Sequence, residues 1–239
     1  MFTHHGNDRT YAHNLKIASL LSFVAGFVNV VGYLSIQRLT SNVTGHFAFF
    51  VDDILQLKWF DGFIFFLYIL FFFLGALVAS TLIEFIHQRS KRTVYLIPVL
   101  LESSLLLAVA LSGVFLYQTY PNAIALALLF AMGLQNSLVT KISNALVRTT
   151  HLTGLFTDLG IEVSQLFFYT ATEQKKKLKG SIRLRLQIIL FFFIGGIVGG
   201  LLYQKGSFYS LLLPVALLWA GLGYDQLKLR FSKITSNET

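Results

Sequence analysis

TSNVTGHFAFF, residues 40–50, breaks a chain that is otherwise almost continuously apolar, and the same polar, glycine-containing phrase returns as TTHLTGLFTDL at 149–159. Hydrocarbon offers no partner to a backbone donor or acceptor, so such a segment is costly at membrane depth unless protein or a water-filled cavity surrounds it. A membrane chain that carries it twice is either joining helices at the bilayer interface or lining something inside.

The surrounding residues establish that the membrane is the right frame. Of 239 residues 55% are hydrophobic and 24 are Phe, and the mean hydropathy is +0.67, well above a soluble domain. Six nearly uncharged stretches, about 15–37, 62–86, 93–117, 122–142, 184–204 and 207–227, approach or exceed the ~20 residues a helix needs to cross a core of roughly 30 Å. Six crossings are expected, with 154–170 the rival for a seventh. There are 19 Lys and Arg against 11 Asp and Glu, a balance that would suggest nucleic acid in a soluble protein. Placing the N-terminus in the cytoplasm puts every Lys and Arg inside except Arg38, Lys58 and Lys205. That is what the positive-inside rule demands, so both termini are expected to be cytoplasmic and no nucleic acid is implied. The first apolar run is too long for a signal-peptide core and has no small-residue cleavage site, which makes it an anchor. With no cysteine, disulfides, thiolate metal sites and cysteine nucleophiles are excluded.

The chain repeats itself in four places, in the same order. Gly26-Phe27-Val28-Asn29 matches Gly133-Leu134-Gln135-Asn136, and 40–47 matches 149–156. Phe71-Phe72-Phe73-Leu74-Gly75 matches Phe191-Phe192-Phe193-Ile194-Gly195, and Ile97-Pro98-Val99 matches Leu213-Pro214-Val215. Three crossings per copy is an odd number, so the second copy enters the membrane from the opposite side. The expected fold is an all-α polytopic bundle of two inverted three-helix repeats, 15–117 and 122–227, each with a short amphipathic helix, between tails 1–14 and 228–239. Many secondary transporters are built this way, with the substrate site near the midplane between the repeats.

Thr44 and Thr153 read as N-caps of the amphipathic helices, and Gly45 and Gly154 let backbone or ligand come close. A helix beginning there directs partial positive charge at whatever precedes it. Two readings are open: caps on interfacial helices, or the lining of a cavity. Asn29 and Asn136 sit inside helices, where an amide either bonds to a neighbouring helix or meets a substrate. Gln135 and the two histidines of the phrases, His46 and His151, join the candidate substrate contacts. Glu102, just past Pro98, is a carboxylate in mid-membrane, costing about 2.5 kcal/mol or more at the centre. It either carries a coupling proton or bonds to Ser103, Ser104 or an adjacent helix. Asp158 and Glu162 on the second amphipathic helix are further candidates for a proton or cation. Gly75, Ala76, Ala79, Gly195, Gly196, Gly199 and Gly200 read as close-packing positions. The two Phe-Phe-Phe runs read as lipid-facing or interhelical, and Lys175-Lys176-Lys177-Leu178-Lys179 as a cytoplasmic anchor with some attraction to anionic lipid.

GFVNVVGYLSIQRLTSNVTGHFAFF and AMGLQNSLVTKISNALVRTTHLTGLFTDLG resemble the YoaK-type family of multi-pass bacterial membrane proteins, a domain family of unknown function. The resemblance covers most of the chain and implies an inner (plasma) membrane location without supplying a substrate. Members commonly carry an acidic residue where this chain has Asn29, and Thr-Gly-Asn where it has Thr44-Gly45-His46.

The function expected is transport of a small molecule or ion, with a non-transporting scaffold or accessory subunit as the alternative. No Walker loop, Gly-x-Ser-x-Gly elbow or His-Glu-x-x-His sequence is present, so neither enzymatic activity nor a cofactor or metal is expected. The lipid bilayer is the expected partner, and homo-oligomerisation is left open.

Overall fold

The computed structural model describes residues 10–88, 94–143 and 145–235, with side chains as far as Asp225. Residues 1–9 and 236–239 of the two tails lie outside the described residues. So do Arg9, Arg89, Lys91 and Arg92 and the side chains of Lys228, Arg230 and Lys233, which the charge argument counts. Among the described residues all regular structure is helical: α1 (Tyr11–Ile36), α2 (Val43–Leu55), α3 (Trp59–His87), α4 (Leu96–Leu116), α5 (Pro121–Ile142), α6 (Leu152–Phe168), α7 (Thr172–Gly206), a 3-10 turn (Ser207–Leu211) and α8 (Leu212–Thr235).

Five stretches are long and apolar enough to cross a membrane: α1, α3, α4, α5 and the 54 residues Thr172–Asp225. The last contains 184–204 and all but the final two residues of 207–227, interrupted by the 3-10 turn. α6, with 17 residues, is not among the five.

Local chemistry sets several boundaries. Thr10 opens α1 with a capping box: its hydroxyl accepts from the His13 amide, and the His13 side chain accepts from the Thr10 amide. Gln37 closes the helix in the left-handed region, φ 54°. Pro121 starts α5, where its missing N–H costs nothing.

α1 and α5 form the middle of the bundle, with 61% of each apolar window buried against 22% in α3. Each docks along a helix from the other half with backbones almost touching. A Cβ on Gly26 would stand 1.9 Å from the Phe192 carbonyl oxygen, and one on Gly195 2.1 Å from that of Phe23, joining α1 to α7. Gly133 faces the Phe72 carbonyl and Gly75 that of Phe130, each at 2.1 Å, joining α5 to α3. The close-packing reading of Gly75 and Gly195 therefore holds, and Gly199 joins them, 2.9 Å from the Phe27 carbonyl.

Successive contacts give the helix directions. Tyr11 bonds to Gly180, Gln187 to Ser19, and Gly26 meets Phe192, so α1 and α7 are parallel. Tyr68 with Asn122, Gly75 with Phe130 and Glu84 with Lys141 do the same for α3 and α5. Phe208 lies against Gly113 while the Trp219 indole donates to Ser103, so α8 runs antiparallel to α4. Phe73, Phe193, Leu201 and Phe115 point outward, exposed, as lipid-facing residues do when the solvent is hydrocarbon.

Candidate functional site

Both polar phrases fold back into the bundle. Beyond Ile36 the chain turns inward until Thr40 Oγ1 donates to the Val28 carbonyl at 3.2 Å. Ser41 follows, donating to Asn29 Oδ1 from its amide at 3.2 Å and from its hydroxyl at 2.9 Å. Asn29 lies seven residues before the end of α1, so the loop reaches about 10 Å down the helix at 1.5 Å per residue. In the second half Gln135 Nε2 donates to Thr149 Oγ1 at 3.2 Å, and Thr150 Oγ1 donates to Asn136 Oδ1 at 3.1 Å. Each asparagine thus holds the polar loop of its own half with its carboxamide oxygen.

The caps differ from expectation. α2 is capped by Asn42, whose carboxamide oxygen accepts from the Gly45 amide at 3.1 Å. α6 begins after His151 with no side-chain cap. Thr44 and Thr153 are therefore second residues of their helices, not N-caps. The physical reason is that Asn42 stands three residues before Gly45, the spacing at which an Asx side chain reaches a free first-turn amide. In both halves the threonine is the second helical residue and the glycine the third, so the repeat keeps its register.

The two loops meet at one cavity of about 930 Å³. Its lining is largely made of equivalent pairs: Asn29 and Asn136, Leu39 and Arg148, Ser41 and Thr150, Asn42 and His151, Val43 and Leu152, Thr44 and Thr153, Phe72 and Phe192. Gly45, Ala48 and Thr140 complete it. Of the sequence candidates the cavity gathers Asn29, Thr44, Gly45, Asn136, His151 and Thr153. Ser41, Thr150, Arg148 and the middle Phe of each run were missed, although the equivalence of the two copies pointed to Phe72 and Phe192.

The remaining candidates lie elsewhere. His46 is 1% exposed and packs on Tyr68 and Phe65 with ring centroids at 5.1 and 5.9 Å. Its Nε2 lies 2.7 Å from the Leu39 carbonyl, while Nδ1 is buried without a partner. Burial holds this imidazole below the ordinary histidine range; the Leu39 carbonyl opposes that and the Arg38 charge adds to it. Gln135 is buried and spans from the Leu21 carbonyl to Thr149, a pin between α1, α5 and the loop. Gly154 gives room to a neighbour: a Cβ there would stand 2.4 Å from the His151 ring.

Asp158 and Glu162 converge on Arg185, at 2.8 and 3.0 Å, and Ser181 donates to Glu162 at 2.6 Å. These bonds clamp α6 to α7. Glu102 is fully buried in α4, and both carboxyl oxygens lack a hydrogen-bond partner. Of the alternatives, a bond to Ser103, Ser104 or an adjacent helix is therefore not formed; the Ser103 hydroxyl donates to the Leu100 carbonyl and accepts from Trp219. Among the described residues no cluster of three His, Cys, Asp or Glu gathers to hold a metal.

A family model described as "Protein of unknown function (DUF1275)" matches residues 17–224, from within α1 to within α8. The chain belongs to this family. It is also similar to the UPF0700 transmembrane protein YoaK of Bacillus subtilis (strain 168), 23% identical over 226 residues that cover 93% of this chain and 98% of YoaK. No solved structure matches. A transmembrane relative of nearly equal length, together with five stretches apolar enough to span, makes this DUF1275 chain a multi-pass membrane protein.

Proposed function

We propose that the protein carries a small polar solute across the bacterial inner membrane, as a six-crossing bundle of two inverted three-helix units with both termini in the cytoplasm. The observation that carries this reading is the shared cavity: two loops from different halves, each drawn about 10 Å into the bundle, supply equivalent residues to one polar space. The helix directions support it, since the first helix of each half runs parallel to the second helix of the other. The 54-residue stretch Thr172–Asp225 would be about 80 Å long as a straight helix, more than twice a hydrocarbon core, and is read as two crossings. The contacts of Tyr11 with Gly180, Lys16 with Tyr224 and Lys141 with Glu84 gather at one end the cations that the positive-inside rule assigns to the cytoplasm.

Glu102 is the group we assign to coupling, because a buried carboxyl without partners is retained in a membrane helix at a cost. A non-transporting scaffold needs no polar space between the loops, so the cavity favours transport. Reconstitution tests the reading: proteoliposomes bearing the wild type take up solute from a broad screened panel, and Asn136→Leu strongly reduces that uptake. Failure of every solute to move overturns it.

A further inference from the structure

A second cavity, about 910 Å³, opens beside the first and shares Arg148 and His151 with it. It lies between the start of α1, the loop after α5, α6 and the first turns of α7. Its walls carry Lys176, Lys177, Lys179 and Arg183 besides Arg148. Of its two carboxylates, Asp158 is held by Arg185 at 2.8 Å, which leaves Glu173 against those five cations. The two cavities, one rich in cations and one polar, adjoin at Arg148 and His151.

We infer that the site takes a small oxyanion, a carboxylate or a phosphate, admitted through the cation-rich cavity; this rests on the transport reading above and names its substrate class. Three independent features converge. A concave wall with a marked excess of one charge sign focuses the field and raises the local concentration of the opposite ion. Where the two halves are equivalent, the first contributes neutral Leu39 and Asn42, whereas the second contributes Arg148 and His151. The cavity's departure from symmetry therefore adds one fixed cation, Arg148, and it falls at the junction. No carboxylate among the described residues pairs with Arg148. Finally, α6 starts at this junction with no side-chain cap, so its first amides are open to an acceptor. The donors present are a guanidinium, backbone amides and the carboxamide nitrogens of Asn29 and Asn136, whose oxygens already accept from the loops. A guanidinium beside free amides matches an oxyanion better than a cation or a sugar hydroxyl.

The test uses the full chain in nanodiscs of neutral phosphatidylcholine, titrated with inorganic phosphate or succinate at constant ionic strength and followed by thermal unfolding. One of the two anions raises the unfolding temperature saturably, and Arg148→Gln weakens the apparent affinity about tenfold or more, the loss expected for one charge-assisted contact. Lys205→Gln, outside both cavities, leaves it unchanged. A parallel arm replaces the soluble anion with nanodiscs containing phosphatidylglycerol. Stabilisation there but not by phosphate or succinate overturns the soluble-anion assignment in favour of a lipid headgroup. An Arg148→Gln protein that folds and responds like the wild type overturns the inference. Uptake of uncharged or cationic solutes with no anion response also overturns it and leaves transport standing, whereas anion binding with no flux supports it and removes transport.

Discussion

A Cβ on Gly26 would stand 1.9 Å from the Phe192 carbonyl oxygen, and one on the equivalent Gly133 would stand 2.1 Å from that of Phe72. Backbone cannot retreat as a flexible side chain can, so each helix pair must separate to admit a methyl group. Gly26→Ala and Gly133→Ala are each expected to lower stability by about 3 kcal/mol. Gly160→Ala, in α6 with nothing within 4 Å, is expected to be neutral or to gain up to about 1 kcal/mol from helix propensity. Thermal unfolding in detergent separates the two classes, and equal shifts for all three would contradict the close contacts.

Asn136→Leu removes the acceptor of the Thr150 hydroxyl and turns one wall of the chamber apolar. The stability cost is expected to be only on the order of 1 kcal/mol, while solute flux falls at least tenfold, an effect equal to about 1.4 kcal/mol or more on the transport barrier. Asn29→Leu should behave alike, because Ser41 depends on it as Thr150 depends on Asn136. Thr150→Val tests the pin alone and should weaken flux less than either. Uptake per folded protein is the measurement, and a wild-type rate in Asn136→Leu would place the site elsewhere.

Much of this arrangement is legible in the amino-acid sequence. The long helices overlap the uncharged runs of about 20 residues, and residues of both copies of the phrase line one cavity, where the sequence left interfacial caps and cavity lining open. Periodicity does not tell which face of a Phe-Phe-Phe run turns inward, so the reading of both runs as lipid-facing or interhelical does not single out Phe72 and Phe192. Nor could it give the caps, because Asn42, Thr44 and Gly45 compete within one turn and only the loop's descent to Asn29 favours Asn42. His46 and His151 are both candidates from the repeated phrase but not equivalent positions, since His46 aligns with Leu155 and His151 with Asn42. The aromatic wall of Phe65 and Tyr68 draws the first ring away from the cavity, and among the described residues no such ring contact holds the second.

His46 should make stability fall in mild acid. Burial lowers its pKa in the folded state, so above the unfolded value of about 6.5 both states are neutral and the group has no effect. Below that value the unfolded chain takes the proton first, and stability is lost until the pH reaches the lower folded value. A pH series of unfolding temperatures for wild type and His46→Phe, which keeps the aromatic packing, should diverge only below about pH 6.5. Parallel curves would show that the ring meets water.

Arg185 is 21% exposed and Glu162 14%, so their ion pair is screened less than a surface pair, though less costly to break than a wholly buried one. Arg185→Gln is expected to cost about 2 kcal/mol and to loosen α6 from α7, because Asp158 and Glu162 then face each other uncompensated. Adding Glu162→Gln should recover part of the loss. A double-mutant cycle on unfolding free energies measures this coupling, and a value near zero would mean that apolar contacts alone dock α6.

Glu102 offers the sharpest separation between a structural and a working residue. With neither carboxyl oxygen bonded, the side chain gives the fold nothing that an apolar group of similar size could not. Glu102→Met is therefore expected to raise stability by about 1–3 kcal/mol, the cost of leaving a buried polar group unsatisfied. Glu102→Gln, which keeps the shape but cannot exchange a proton, should fold normally and lose the dependence of solute uptake on an imposed proton gradient. Together these outcomes describe a residue that costs the fold stability and serves coupling. A destabilised Glu102→Met would instead reveal a hidden partner, and an unchanged gradient dependence in Glu102→Gln would move the coupling role to another group.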